Sequence, residues 1–481
     1  MAFKILVILA VCVLLVYLCG CCAFTRRLVA FPNKSKQRMF HDESGRIAVY
    51  HGVNISNYTK HCAPPFNFNG RGIAGHPWHD ENEAADLERW GFNLVRYLVH
   101  WEAIEPRRGE YDEAYLDTVV SKIKTLGKHG VKVIVDFHQD CYAQRYGNGF
   151  PDWAVRDDGK KFEKQKQWAL NYLQPAVRAC FDNFWSNKDG ILDANIAAIE
   201  HLLIRLAEVH PTVLAIDVFN EPWPKGWPLT FERKTLSLYY QRLVVMWLKH
   251  NNGYPMLGFE PWMSTSAGYP TNLRMDNENE NFGGLLYMPH YYDFFCEQDK
   301  PYRKFNKWVM KRAHNIRSYE AQKFKCPVLY GEFGFPIGAK GYLSAFKDFL
   351  ELADKHCVSW SYWSYDKTIH NDRGFLNEDG TVASNGFLLM LVRIYPQRIA
   401  GTDPHWAFDG KTFEMKWKCD VGSYTSLPEP TEIYVPEVWE IEAFSTGPYC
   451  RIGNKVICEP NPMSKDQWVK IVVKSRKGFP M

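Results

Sequence analysis

Two glutamates follow short apolar runs at the points where buried strands would end. Glu221 follows the largely apolar run Val213–Phe219, and Glu332 follows the run Val328–Tyr330. Continuous apolar runs that stop at proline or glycine are typical of buried parallel strands. Two carboxyl groups that converge on one bond are what glycoside hydrolysis needs, one to protonate the leaving oxygen and one to face the anomeric carbon. The Asn-Glu-Pro tripeptide at 220–222 also fits a helix start, so this motif alone leaves both interpretations open.

The chain around these motifs alternates between helix and strand. Helices are predicted at Asp80–Trp90, Tyr115–His129, Ile191–His210, Thr235–Lys249 and Leu343–His356, and Arg317–Lys325 is the connector that leads into the strand before Glu332. Strands are predicted at Ile47–Val53, Phe92–Tyr97, Val131–Phe137, Val213–Asn220, Met256–Glu260, Leu285–Met288, Val328–Tyr330 and Val358–Tyr362. Eight strands with helical connectors predict an α/β fold, a (β/α)8 TIM barrel. The segment Cys141–Ser186 is predicted to be a long irregular loop with a functional role.

The last part of the chain has a different pattern. Alternating segments at Phe413–Trp417, Thr431–Val435 and Trp468–Val473 predict a small C-terminal antiparallel β-sandwich. We therefore divide the chain into residues 1–24, a barrel at 25–394 and a sandwich at 395–481. The sandwich is expected to brace the barrel rather than to bind substrate.

The amino terminus carries a targeting signal. Residues Ile5–Cys22 are apolar or small, with Lys4 before them and Arg26-Arg27 after them. This pattern predicts either a cleaved signal peptide or a signal anchor, and the run around Cys21 also resembles a bacterial lipoprotein box. We expect a secreted, lysosomal or membrane-anchored protein whose barrel lies outside the cytosol.

Composition narrows the possible partners. Aromatic residues make up 15% of the chain, with 17 tryptophans, which modestly favours a sugar-handling protein because sugars stack on aromatic faces. The formal net charge is +4 with no prominent basic block, so we expect no nucleic-acid partner. No cysteine spacing fits a zinc site, and we expect neither a metal nor a cofactor.

Two further expectations concern covalent modification. Cys450 and Cys458 are close neighbours in a polar stretch and are the pair we expect to form a disulfide in an oxidising compartment. Asn54 begins an Asn-Ile-Ser glycosylation pattern, but we expect it to be too buried to be modified.

Several motifs together resemble a known family. They are His-Gln-Asp at 138–140, Phe181–Trp185, Asn-Glu-Pro at 220–222, Gly-Glu-Phe-Gly at 331–334, Ser-Tyr-Trp-Ser-Tyr-Asp at 361–366, and the runs 395–402 and 430–436. Together they resemble glycoside hydrolase family 5, the retaining (β/α)8 hydrolases, and within it the endoglycoceramidases and their relatives. The resemblance extends from about Ile47 to Val473.

The resemblance implies catalytic roles for the two glutamates and their neighbours. Glu221 would be the general acid and base, and Glu332 the nucleophile of a covalent glycosyl-enzyme. Asn220 would bind the sugar 2-hydroxyl. Arg96 would lie beneath Glu332 and keep it ionised, since a nearby opposite charge favours the charged form. Tyr292 would donate a hydrogen bond to the nucleophile.

The resemblance also implies a sugar subsite. His138 and Asp140 would hold sugar hydroxyls, Trp363 would form the stacking floor, and Lys60 would reach the sugar from a loop. For His290 two possibilities stay open, a place in the site or a satisfied core histidine.

The implied substrate is a glycosphingolipid, cleaved between its β-linked glycan and ceramide. Alternatives are a β-glucosidase acting on glucosylceramide or sterol glucoside, and an endo-β-glucanase of the same family. A more distant alternative is a carbohydrate-binding protein without catalysis. We expect a monomer that meets the membrane through its amino-terminal segment and its lipid substrate.

Overall fold

The computed structural model describes residues 38–55, 81–165, 167–250, 255–275, 284–366, 373–377, 381–382, 388–421, 429–445 and 449–475. The predicted signal segment at 1–24 and the predicted sugar ligand Lys60 lie outside these ranges. Within them, no helix is both long and apolar enough to cross a membrane.

Parallel strands form a closed barrel in the first part of the chain. Two short strands come first, followed by the barrel strands: β1 (Phe40–His41), β2 (Ile47–Ala48), β3 (His51–Ile55), β4 (Leu94–His100), β5 (Lys132–His138), β6 (Val213–Asp217), β7 (Met256–Phe259), β8 (Leu285–Tyr287), β9 (Tyr291–Tyr292), β10 (Leu329–Gly334) and β11 (Ser359–Tyr362). The strand order is β8-β7-β6-β5-β4-β3-β11-β10-β9, with every pairing parallel. A parallel bridge between Tyr287 and Val328 closes the ring, so the predicted (β/α)8 barrel is confirmed.

The strands are buried along nearly their whole length because helices cover the outside of the barrel. The helices are α1 (Glu81–Arg89), α2 (Trp101–Ile104), α3 (Glu113–Lys128), α4 (Pro175–Trp185), α5 (Ile191–Arg205), α6 (Pro228–Thr230), α7 (Ser237–His250), α8 (Lys304–Phe324), α9 (Tyr342–His356) and α10 (Leu388–Leu391). Asp112 caps α3 by accepting a hydrogen bond from the Tyr115 amide at 2.9 Å, which satisfies one of the unpaired amides of the first turn.

Several predicted elements were wrong in their bounds, and three of them bear on the fold. The predicted strand Ile47–Val53 is two strands, because the Val49 amide donates to Gln397 of the second domain while β3 continues into the barrel. The predicted loop Cys141–Ser186 contains α4, whose apolar face is buried under the barrel rim. The predicted connector Arg317–Lys325 is mostly the end of helix α8, which begins thirteen residues earlier at Lys304.

Antiparallel strands form the predicted C-terminal sandwich. They are β12 (Tyr395–Ile399), β13 (Thr402–Phe408), β14 (Thr412–Lys418), β15 (Thr431–Tyr434), β16 (Trp439–Ser445), β17 (Tyr449–Ile452), β18 (Lys455–Cys458) and β19 (Asp466–Ser475). In the part of the chain that is described, one sheet has the order β1-β2-β12-β15-β18-β17 and the other β13-β14-β19-β16. Because β1 and β2 belong to the first of these sheets, the sandwich also uses residues that precede the barrel. The division at 394/395 stays a prediction.

The sandwich contacts the end of the barrel where the strands begin. The His51 ring lies between Trp360 and Tyr395, with ring centroids 4.3 and 3.7 Å away. His51 and Trp360 stand near the starts of β3 and β11, and Tyr395 is the first residue of β12. The opposite end of the barrel, where the strands finish, is therefore left open for chemistry.

The predicted disulfide between Cys450 and Cys458 is wrong, since both thiols are free. In the β17–β18 register Cys450 pairs with Ile457 and Cys458 pairs with Tyr449. Side chains alternate between the two faces of a strand, so a one-residue offset places the sulfurs on opposite faces. Cys450 is exposed and Cys458 is buried, as this geometry requires. The expected burial of Asn54 is confirmed.

Candidate active site

One buried guanidinium organises the open end of the barrel. Arg96 on β4 is fully buried, and its Nη1 donates to Glu332 Oε1 at 2.8 Å and lies 3.0 Å from Asp136 Oδ2. Its Nη2 donates to Asp217 Oδ2 at 2.9 Å and to Glu260 Oε1 at 3.2 Å. Although burial lowers the pKa of Arg96, these four carboxylates raise it well above its ordinary value.

Both oxygens of Glu332 accept a hydrogen bond. Arg96 donates to Oε1, and the Tyr292 hydroxyl donates to Oε2 at 2.7 Å. Glu332 lies on β10, where Tyr292 of the neighbouring β9 pairs with Gly334. The sequence therefore places the carboxylate and its two donors on three different strands, which hold it in one orientation.

Glu221 stands just past β6 in a left-handed backbone conformation, with φ of +43°. Its amide donates to Glu260 Oε2 at 2.9 Å, and its carbonyl accepts a hydrogen bond from Gln139 Nε2 at 3.2 Å. Oε1 of its side chain lies 3.0 Å from His290 Nδ1. Contacts on both sides of the peptide keep this residue in a conformation that glutamate rarely adopts.

The two predicted catalytic carboxyl groups lie close together. One oxygen of Glu221 and one of Glu332 are within 4.8 Å of each other. Retaining hydrolases place their carboxyl groups about 5–5.5 Å apart, whereas inverting hydrolases need about 6.5–9.5 Å for an intervening water. The observed spacing matches the retaining arrangement.

His290 lies between the two glutamates and Glu260, which resolves the open question about its position. Nε2 lies 3.1 Å from Glu260 Oε1, and Nδ1 lies 3.0 Å from Glu221 Oε1 and 3.6 Å from Glu332 Oε2. Burial lowers the pKa of His290, but the charges of Glu260 and Glu332 raise it well above its ordinary value. These charges favour the protonated ring, whose Nδ1 then donates a hydrogen bond to Glu221 Oε1.

His138, Asp140 and Trp363 form a second group beside the glutamates. His138 Nδ1 lies 2.7 Å from Asp136 Oδ2, and Nε2 lies 3.1 Å from Asp140 Oδ2. Burial lowers the pKa of His138, but these two carboxylates raise it to about 9. The Trp363 ring is nearly parallel to the imidazole, at 13° with centroids 6.0 Å apart.

Asn220 connects the guanidinium to the loop after β5. Its Oδ1 accepts a hydrogen bond from Arg96 Nη2 at 2.8 Å, and its Nδ2 donates to the Gln139 carbonyl at 3.1 Å. These two bonds identify which terminal atom of the Asn220 side chain is the oxygen, although the oxygen and nitrogen of a side-chain amide are hard to distinguish by shape alone.

Sequence reasoning overlooked several members of the site: Asn54, Asp136, Gln139, Asp217 and Glu260. Asp136 and Asp217 interrupt otherwise apolar strands, and an isolated acidic residue in a buried strand was the available signal. Glu260 gave a weaker signal, a single carboxylate directly after the strand β7. All the predicted site residues that the structure describes are brought together at this end of the barrel.

Two groups in the site have the geometry of metal ligands: Asp217, Glu260 and His290, and Glu221, His290 and Glu332. His290 is common to both, and although burial lowers its pKa, the charges of Glu260 and Glu332 raise it well above its ordinary value, which favours a protonated ring at this position. Asp217, Glu260 and Glu332 already accept hydrogen bonds from Arg96. The carboxylates of these two groups are therefore already paired with cationic side chains of the protein.

A family model described as Cellulase (glycosyl hydrolase family 5) matches residues 62–368, more than half of the chain. The protein belongs to glycosyl hydrolase family 5. Endoglycoceramidase I of Rhodococcus hoagii (strain 103S) is 29% identical over 415 residues, which are 82% of this chain and 78% of that protein. A glucosylceramidase of Rhizopus delemar is 26% identical over 245 residues, or 40% of this chain and 36% of that protein.

A solved structure shows the same architecture. Endo-glycoceramidase II from Rhodococcus sp., determined as a lactosyl-enzyme intermediate, superposes with a TM-score of 0.76 at 25% identity. The match covers 90% of this chain and 99% of that chain, so it includes both barrel and sandwich.

Proposed function

We propose that this enzyme hydrolyses the β-glycosidic bond between the glycan and the ceramide of glycosphingolipids, with retention of configuration. The observation that carries the reaction type is the pair of glutamate carboxyl groups within 4.8 Å of each other at the open end of the barrel. The observation that carries the substrate class is the similarity to endoglycoceramidases over most of both chains.

In the first step, Glu332 attacks the anomeric carbon and the glycosidic carbon–oxygen bond breaks. Glu221 gives its proton to the departing ceramide oxygen, so the products are free ceramide and a glycosyl ester of Glu332. In the second step, Glu221 takes a proton from a water molecule whose oxygen attacks the same carbon. The ester breaks, the free sugar leaves, and both glutamates return to their starting states.

Neighbouring side chains give each glutamate one task. Arg96 and Tyr292 donate to Glu332 and so stabilise its anion, which is the form that attacks. The imidazolium of His290 lies against Oε1 of Glu221, so the transferable proton belongs on Oε2, the oxygen free to face the leaving group. Glu260 fixes both His290 and the Glu221 backbone and is a positioning residue.

Sugar recognition would depend mainly on the group formed by His138, Asp140 and Trp363. His138 and Asp140 would bind hydroxyls beside the cleaved bond, Asn220 would bind the 2-hydroxyl, and Trp363 would stack on the sugar ring. Lys60 would contribute from the loop. Hydrogen-bond partners that are fixed in advance need no rearrangement when the transition state forms.

The ceramide side is supported by aromatic residues around the mouth of the site. Tyr172 stacks on Trp223 with ring centroids 4.9 Å apart, two residues from Glu221, and Trp168 packs edge-on against Tyr172. Trp227 is 65% exposed in the same segment. Of these residues Trp168 and Trp227 are exposed, and their apolar faces can contact a lipid leaving group.

A glucosylceramidase is the second candidate, favoured by the similarity to the Rhizopus delemar enzyme over a smaller part of the chain. The two candidates differ in whether the site accepts a long glycan. In both cases the predicted signal or anchor would place the barrel outside the cytosol, where the substrate glycans are displayed.

The deciding experiment incubates the full-length protein with a labelled complex ganglioside and with labelled glucosylceramide in detergent. Intact oligosaccharide and ceramide from the ganglioside are expected. Glucose from glucosylceramide alone would replace the proposal with the glucosylceramidase. If neither lipid is cleaved while a cellulose oligomer is, the lipid substrate is wrong and only the family assignment survives.

A further inference from the structure

Four aromatic side chains form an exposed ridge beside the active site. Phe294, Phe295, Phe305 and Trp308 are between 38% and 51% exposed. Successive ring centroids lie 5.6, 5.8 and 5.9 Å apart, so the rings make one continuous surface. A contiguous exposed apolar surface marks an interaction site more often than isolated apolar residues do.

The ridge is fixed to the open end of the barrel. Phe294 follows β9 after a single residue, and β9 carries Tyr292, which bonds to Glu332. Asp293 Oδ1 accepts hydrogen bonds from the amides of Phe295 and Cys296, each at 3.0 Å, and from Asn306 Nδ2 at 2.8 Å. This buried carboxylate joins the turn to the first turn of α8. The aromatic rings therefore keep a set position relative to the nucleophile.

Basic residues share the segment with the aromatic rings. The thirteen residues from 300 to 312 contain no acidic residue and six basic ones: Lys300, Arg303, Lys304, Lys307, Lys311 and Arg312. Two exposed acidic residues precede them, Glu297, which pairs with Arg373, and Asp299. All the basic residues but Arg312 are exposed, and Lys307 also reaches Asp348 on α9 at 2.6 Å. Aromatic residues interleaved with lysines on one helix are typical of a helix that lies in the interface of an anionic membrane.

We propose that the aromatic ridge and the basic residues of its segment dock onto the surface of an anionic lipid bilayer. The rings would enter the headgroup level, and the lysines and arginines would meet lipid phosphates and carboxylates. Docking would bring the mouth of the site to the depth where a sugar joins its ceramide. That last consequence rests on the proposed function, whereas docking itself does not.

The charge pattern favours a bilayer over a second copy of this chain. A symmetric dimer through the ridge would bring the six cations of each copy together with only two exposed acidic residues, Glu297 and Asp299, on the same segment, and this excess of like charge opposes association. A lipid surface instead presents a continuous negative potential to the whole segment.

The test follows amide hydrogen exchange in the full-length protein with and without vesicles that contain no glycolipid. Vesicles of phosphatidylcholine with phosphatidylserine are expected to slow amide exchange at 294–312. Vesicles of phosphatidylcholine alone, or the mixed vesicles at high salt, should slow it less.

The double variant Phe305→Ala/Trp308→Ala should lose about tenfold or more of this protection. The variant Lys304→Glu/Lys311→Glu should lose its preference for anionic vesicles. Trp468→Ala, which removes a 50% exposed tryptophan from the sandwich, is the matched control and should change nothing.

Activity provides the second readout. The aromatic variant should hydrolyse a soluble aryl β-lactoside at the wild-type rate and a vesicle-borne glycolipid about tenfold more slowly. Unchanged exchange at 294–312 on adding vesicles would overturn the docking proposal even if glycolipids are cleaved. Protection that grows with protein concentration in the absence of vesicles would also overturn it, in favour of self-association. Protection without any glycolipid hydrolysis would support docking and refute the proposed function instead.

Discussion

At the scale of single residues, the two glutamates differ in what surrounds them. Glu332 accepts two hydrogen bonds from an arginine and a tyrosine, whereas the Glu221 carboxyl has one oxygen against His290. This difference supports the proposed roles of Glu332 as nucleophile and Glu221 as proton donor, and substrates with different leaving groups can separate the two tasks.

The variants Glu221→Gln and Glu332→Gln should both fold, because glutamine preserves the shape of the side chain. Glu221→Gln should lose about 10²–10⁴-fold in rate on an alkyl glycoside, since general acid catalysis contributes that much. The same variant should recover most of the first step on a dinitrophenyl glycoside, whose leaving group needs no proton. Glu332→Gln should be inactive on both substrates. Recovery by Glu332→Gln would reverse the assignment.

The charge of Glu260 should control the pH profile through His290. Because burial lowers the pKa of His290 and Glu260 is the main charge that raises it, Glu260→Gln should lower that pKa. The protonated ring would then lose its proton at a lower pH, so the alkaline limb of kcat/KM should move to lower pH. The profile is measured with a soluble aryl glycoside. A uniform loss of rate with an unmoved alkaline limb would limit Glu260 to a structural role.

At the scale of elements, apolar runs predicted the existence of the barrel strands, but not where they end. The strand predicted to reach Asn220 stops at Asp217, because the residues beyond it give up regular geometry to form the site. Charged residues inside strands, such as Asp136 and Asp217, become interpretable only when Arg96 is seen between them. The role of His290 was undecidable from sequence because it depends on a contact with a residue 69 positions away.

The turns that follow helices α1 and α3 offer a matched pair of glycines. Gly91 and Gly130 both have positive φ, and the amide of the next residue returns to a carbonyl of the last helical turn in each case. A Cβ at Gly91 would lie 2.2 Å from the Tyr434 ring, whereas a Cβ at Gly130 would meet nothing within 4 Å.

Gly130→Ala should therefore cost only the backbone strain, about 1 kcal/mol. Gly91→Ala should cost about 3 kcal/mol or more, because the side chain also forces the sandwich away from the barrel. Chemical denaturation of both variants gives the comparison. Equal losses would mean that the contact between Gly91 and Tyr434 adapts without cost.

At the scale of the whole molecule, the sandwich closes one end of the barrel and leaves the other for substrate. Composition and alternation predicted the sandwich, but not that β1 and β2 would join it, since the pairing of β2 with β12 links residues at least 350 positions apart. The basic segment at 300–312 is present in the sequence, but the small overall net charge of +4 does not indicate a local cluster of this kind. Its meaning depends on the aromatic rings that the fold brings beside it.

The junction between barrel and sandwich should be sensitive to acid through His51. Burial lowers the pKa of His51 well below its ordinary value, so the folded protein keeps it neutral. Below about pH 6.5 only the unfolded chain takes up this proton, and stability should fall by about 1.4 kcal/mol per pH unit from this residue. His51→Phe keeps a ring between Trp360 and Tyr395 and should make the decline shallower. The exposed His405→Phe is the control, and equal slopes for the two variants would exclude His51 as the cause.

The left-handed backbone of Glu221 implies that the protein's most stable sequence is not its most active one. Asparagine tolerates positive φ better than glutamate or glutamine, by about 1 kcal/mol. Glu221→Asn should therefore melt at a higher temperature than Glu221→Gln, although both lack the proton donor. Selection for catalytic rate would keep glutamate at position 221, whereas selection for thermal stability would replace it.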